Sequence, residues 1–81
     1  MALNEILNGL TPSGTVSATS AVSDIVIEGS SIQLECQVPG GKWIPVLQEA
    51  GAGAIDTPDS NVIYRFRPLS PVNNVRVYFG P

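Results

Sequence analysis

Eighty-one residues with a single cysteine and no histidine make one small domain, with neither an internal disulfide nor a soft-ligand zinc cluster to staple it. A net charge of −3 with only four cations argues against nucleic acid as a partner, because that role gathers several phosphate-neutralising side chains on one face. Only 14% of the residues are charged, so the surface is largely neutral, and association with itself or with a larger body is the expected stabiliser.

At the start of the chain, Leu3, Ile6, Leu7 and Leu10 fall at i, i+3, i+4 and i+7, which predicts one stripe of a short helix. Gly9, Thr11, Pro12 and Gly14 close it. A helix of this length is marginal alone in water, so it either docks on a sheet end or acts as an arm toward a neighbouring subunit. The expected division is therefore a helix or arm over residues 1–13 and a β domain over 14–81. With no basic residue ahead of it and Glu5 inside it, the apolar start differs from a secretory signal. No run approaches the roughly 18 apolar residues of a membrane span. A lone thiol suits synthesis in a reducing cytoplasm.

From Gly14 onward, Val16, Ala18 and Ser20 alternate with polar neighbours as a thin strand. Ser23-Asp24 is expected to break it, before the β-branched run Ile25-Val26-Ile27. Glu28 to Ser31 is a turn. Ile32, Leu34, Cys36 and Val38 then alternate with Gln33, Glu35 and Gln37, the period of a strand with one wet face. Pro39-Gly40-Gly41-Lys42 reverses the chain, because glycine reaches positive φ cheaply, and Trp43 opens the return run. The pair reads as a β-hairpin, with Cys36 and Trp43 expected in the core.

Gly51-Ala52-Gly53-Ala54 is expected as a loop or a weak edge strand. Thr57-Pro58-Asp59-Ser60-Asn61 is a turn. Val62, Tyr64 and Phe66 then alternate with Ile63, Arg65 and Arg67 until Pro68 and Pro71, and Val72 to Val75 reads as a tight connection with asparagine tolerating a left-handed backbone. Val75, Val77 and Phe79 alternate with Arg76 and Tyr78 in a closing strand. About six to seven short strands, with turn signals every eight to twelve residues, predict an all-β antiparallel sandwich or barrel.

Catalytic chemistry is poorly provided for. Without histidine no Ser-His-Asp or Cys-His arrangement can form, and Cys36 falls on an apolar face where a thiol is a small hydrophobe. Asp56, Asp59 and Asn61 match no calcium-loop spacing, and Gly51-x-Gly53 lacks the third glycine of a dinucleotide fingerprint. The expectation is a non-enzyme with no catalytic residue, no metal and no cofactor. Arg65 and Arg67 share a strand face, with Arg76 on the last strand. They are either a solvated face paired with Glu35 or Glu28, or a polar anchor for a partner's carboxylates. Candidate partner-facing residues are therefore Leu3, Ile6, Leu7, Leu10, Arg65, Arg67 and Arg76.

The hairpin Leu34 to Leu47 with its Pro39-Gly40-Gly41 turn before Trp43-x-Pro45-Val46-Leu47, the later Tyr64-Arg65-Phe66-Arg67, and the closing Val75-Arg76-Val77-Tyr78-Phe79-Gly80 resemble small β-sandwich structural proteins of tailed bacteriophages. The resemblance spans residues 14–80 and defines a scaffold rather than a site. It implies a virion component, such as a head decoration (cement) protein or a neck or tail protein, made in the bacterial host cytoplasm and bound to major capsid or other virion subunits. Homo-oligomers, trimers among them, are expected, with neither nucleic acid nor membrane as partner. The alternative is a host-surface or carbohydrate recognition module on a phage tail or fibre, which requires Trp43 or Tyr78 exposed beside polar groups.

Overall fold

The computed structural model describes residues 3–18, 20–38, 40–47, 50–57 and 62–80. Eight strands follow one another among the described residues: β1 (Leu3–Gly9), β2 (Val16–Ser17), β3 (Val22–Ile27), β4 (Ile32–Gln37), β5 (Trp43–Leu47), β6 (Gly51–Asp56), β7 (Ile63–Pro68) and β8 (Val72–Gly80). They form two antiparallel four-stranded sheets, in the orders β1-β8-β3-β6 and β2-β7-β4-β5. The architecture is all-β and sandwich-like, with two more strands than the lower sequence expectation and no helix among the described residues.

The core follows from period-2 alternation. Ile25 and Ile27 of β3 and Val77 and Phe79 of β8 face inward from the first sheet. Leu34 of β4 with Tyr64 and Phe66 of β7 face them from the second. The rings of Tyr64 and Phe79 stack across the sheets with centroids 5.0 Å apart, tying the layers together at the middle of the core.

The N-terminal expectation is corrected: residues 3–9 form a strand. Leu3 pairs with Phe79 and Leu7 with Val75, so the first and last strands are neighbours. A free ten-residue helix gains little in water, whereas pairing with β8 satisfies the backbone and buries two leucines. The helical stripe is thereby split. Leu3 and Leu7 enter the core, while Ile6 and Leu10 stay outside at 56% and 57% exposure.

Ser23-Asp24 does not break β3 either. Ser23 is buried, and its hydroxyl meets that of Thr57, which itself donates to the Ser20 carbonyl at 2.6 Å. A satisfied hydroxyl costs little inside a strand. Gly51 to Ala54 belong to β6, paired along its full length with β3. The Val72–Val75 connection is a bulge inside β8: between Leu7 and Gly9 on β1, β8 runs from Val75 to Val72. Asn74 takes the left-handed backbone there, at φ 52°, and its N–H donates to Asn8 Oδ1 at 2.9 Å. Gly40 and Gly41 do adopt positive φ in the β4–β5 turn. Of the expected turn at 57–61, residues 58–61 lie outside the described residues.

Candidate functional site

The most elaborated surface is the outer face of the second sheet. Antiparallel register places Glu35 of β4 opposite Arg65 of β7, and Gln33 opposite Arg67. Side chains of such pairs share a face, so β4 and β7 together present Gln33, Glu35, Arg65 and Arg67 outward. Glu35 is only 3% exposed although it lies outside the core. Two arginine side chains from the neighbouring strand converge on it, and long cationic side chains can cover a neighbour while their own heads stay wet.

The carboxylate is fully used. Arg65 Nε donates to Glu35 Oε1 at 2.9 Å and Arg67 Nε to Oε2 at 3.0 Å. Arg67 also donates from an Nη to Gln33 Oε1 at 3.3 Å. One acidic group therefore locks two guanidiniums side by side. Each charge-assisted bond is stronger than a neutral one, and the pair shares one buried anion.

Trp43 completes the face and corrects the expectation that it sits in the core. It pairs with Gln37 at the end of β5, on the same side as Glu35 and Pro45. The Arg65 guanidinium lies over its ring, 4.0 Å from the centroid. That contact is a cation–π interaction and fixes Arg65 from a second direction. Cys36 does face inward opposite Ile44, and it packs against the core while remaining partly exposed. Burial pushes its thiol above the ordinary value of 9.0, although its own backbone hydrogen bond pulls the other way. Ile44 shares that inward side at the sheet margin and remains 37% exposed, with Val46 at 42%.

The expected partner-facing residues do not converge. Arg65 and Arg67 lie together on the second sheet. Arg76 pairs in register with Ile6 on the outer face of the first sheet, the opposite side of the molecule. Leu3 and Leu7 are core, and Leu10 is exposed in the turn after β1. Glu35 was visible in the sequence as a charge partner; its near-complete burial was not, because it depends on which side chains converge on it. Trp43 faces outward because of the turn: Val38 N–H donates to the Lys42 carbonyl at 2.9 Å, so Lys42 falls opposite Val38 and Trp43 opposite Gln37 on the polar side of β4.

Charge is distributed unevenly. Among the described residues, Arg65 and Arg67 share the outer face of this sheet with Glu35 as the one carboxylate there, and Lys42 lies in the adjoining β4–β5 turn. Glu5, Asp24, Glu28 and Asp56 all lie on or next to the other sheet. An acidic chain thus carries one locally basic face with an aromatic ring at its edge. Arginine and tryptophan at such a place suit recognition of a carboxylate-bearing surface. Among the described residues no group of three or more His, Cys, Asp or Glu is arranged to hold a metal ion. The calcium reading of Asp56, Asp59 and Asn61 falls partly outside the described residues. Comparison with protein family models, with characterised proteins and with solved structures gives no match to this chain.

Proposed function

We propose that this chain is a non-enzymatic structural protein of a bacteriophage virion, which binds capsid, neck or tail subunits and stabilises the particle. The phage attribution rests on the resemblance of the hairpin and the closing strands to small virion β-sandwiches. The binding role rests on one observation. In a chain of net charge −3, Arg65 and Arg67 are held rigidly by Glu35 on a basic sheet face bordered by Trp43. A pre-ordered guanidinium pair loses little entropy on meeting a partner carboxylate, and the low overall charge lowers the desolvation cost around it. Many copies on one particle multiply a weak individual contact.

Density-gradient purification of particles followed by peptide mass spectrometry tests the reading. The chain should travel with intact particles, and particles reconstituted with Arg67→Glu should lose it. A protein found only outside particles overturns the proposal.

A second reading has a specific observation in its favour. Trp43 lies on an outer face beside Gln37 and Arg65 rather than in the core, as a sugar-stacking residue would. Under it, the chain is a host-surface or carbohydrate recognition module on a tail or fibre. Titration with host glycans would then change the emission of the single tryptophan, and an unchanged spectrum removes this alternative.

A further inference from the structure

Each sheet has two edges, and an edge strand exposes a row of backbone donors and acceptors that invites another strand. Three of the four edges carry recognisable guards. β2 is two residues long. β5 contains Pro45 and a register shift. β1 points Glu5 to the same side as its buried Leu3 and Leu7, where the carboxylate accepts from Gly14 N–H at 3.1 Å and holds the crossing segment against the edge. Short length, proline, irregularity and an inward charge are the devices that stop edge-to-edge pairing. From Ala52 to Asp56 β6 has none of them, and its one backbone irregularity is Gly51, at φ 123° where the strand opens. It is uninterrupted in register with β3 from Gly51 to Asp56, and its only charge is its last residue.

The side chains of β6 also select the occupant. Ile25 pairs with Gly53 and faces inward, so Gly51, Gly53 and Ile55 share the inner side of the sheet while Ala52, Ala54 and Asp56 share the outer. Among the described residues nothing lies within 4 Å of a Cβ placed on Gly51 or Gly53, which leaves open space along the inner side of the edge. The strand carries its own filler for that space at its other end, Ile55.

We propose that β6 pairs antiparallel with β6 of a second copy, about a twofold axis through Gly53, joining the two four-stranded sheets into one. Inner faces must coincide across the new pair, so only residues of equal parity can face each other. With Gly53 opposite Gly53, each Ile55 lies opposite the partner's Gly51, over the unoccupied inner space, and Ala52 lies opposite Ala54. The two Asp56 carboxylates fall beyond the paired stretch, separated by roughly 20 Å along the strands at about 3.4 Å per residue. The contact is isologous and closes on itself, giving a dimer rather than a filament. It uses a surface distinct from the basic face of the second sheet and leaves that face free.

Sedimentation of the purified chain should report a dimer that dissociates on dilution. Gly53→Lys and Gly53→Glu both enter open space in the single copy, yet each sets like charges face to face across the axis. Each should weaken dimerisation on the order of a hundredfold, given the several kcal/mol of like-charge juxtaposition. An equimolar mixture of the two variants should regain the dimer, because residue 53 then meets its opposite. Amide exchange of β6 in the unaltered chain supplies a readout independent of variant folding, slowing as protein concentration rises. A monomer with concentration-independent exchange overturns the inference, as does a mixture that stays monomeric while both variants keep the parent's circular dichroism. Particle association is read separately by co-purification, so either proposal can fail without the other.

Discussion

Replacing Glu35 with glutamine tests whether the outer face of the second sheet is a pre-ordered unit. The substitution keeps the side-chain shape and removes the charge. It also turns one oxygen into an N–H₂ that faces a guanidinium donor. Hydrogen bonds to charged groups contribute about 1.5–3 kcal/mol each when buried. Here the carboxylate is 4% exposed, but the arginine side chains are 24% and 41% exposed. Arg67 keeps much of its hydration, so its share falls to the roughly 0–1 kcal/mol of a surface pair. The glutamine oxygen retains one acceptor, leaving a net loss of about 1–2 kcal/mol. For a domain of this size that lowers Tm by roughly 5–15 °C. Glu35→Ala should cost more, because both guanidiniums then lose their anchor.

Thermal and urea unfolding measure the loss, and a double-mutant cycle with Arg65→Met isolates the pair, with a coupling of about 1 kcal/mol expected. Trp43 is the only tryptophan, so its emission reports locally whether Arg65 has left the ring. A loss below about 0.3 kcal/mol with no coupling, within the usual additivity of independent sites, would refute the reasoning: the carboxylate would then be trading its bonds evenly with water.

Three further outcomes follow from the core and the backbone. Phe66 has no exposed surface, so Phe66→Ala should cost about 3–5 kcal/mol in urea unfolding, while Phe66→Leu costs a fraction of that. Asn74 holds φ 52° in the β8 bulge, so Asn74→Val should destabilise by about 1–2 kcal/mol relative to Asn74→Gly, whose backbone accepts that conformation. Cys36 has its thiol raised above 9.0 by burial, so the folded state holds the proton that the unfolded state gives up. Its contribution is complete below the unfolded pKa and fades as pH rises past it. Urea midpoints should therefore fall as pH rises past about 9, and Cys36→Ala should flatten that slope.

What could be read from the sequence was the alternation of β4, β7 and β8. In those strands apolar and polar residues switch strictly, and the buried set Leu34, Tyr64, Phe66, Val77 and Phe79 is the one that alternation selects. The start of the chain misled because Leu3, Ile6, Leu7 and Leu10 fit a helical stripe, while Leu3 and Leu7 also fit one side of a strand. Only the partner decides between the two, and the partner is β8, at the far end of the chain. Trp43 misled for a related reason. Its face is set by the length of the β4–β5 turn, and closing that turn with Val38 opposite Lys42 puts Trp43 opposite Gln37, on the outer side. Glu35 and its arginines are legible as charges on facing strands, but the burial of Glu35 follows from both guanidiniums converging on one carboxylate, which alternation alone does not give.

The N-terminal correction also moves the place where outside stabilisation is needed. A free arm would have left two leucines to be buried by a neighbour. As an inner-facing strand, β1 instead closes one side of the core itself, with Glu5 and the segment through Gly14 guarding its edge. Among the described residues the opposite margin receives no such cover: β6 offers glycine and alanine where an edge would ordinarily carry lysine, proline or a bulge, and Ile44 and Val46 on β5 remain half-exposed. Only three residues separate the end of β5 from the start of β6, so the open β6 edge and the half-exposed Ile44 and Val46 lie at the same margin of the molecule. An 81-residue core with a single cysteine is marginal, and among the described residues this margin is its least protected surface. A strand supplied there adds backbone pairing and covers apolar side chains at once. Stability of the chain should therefore rise with its own concentration, and unfolding midpoints that stay constant over a hundredfold dilution would place the missing stabilisation elsewhere.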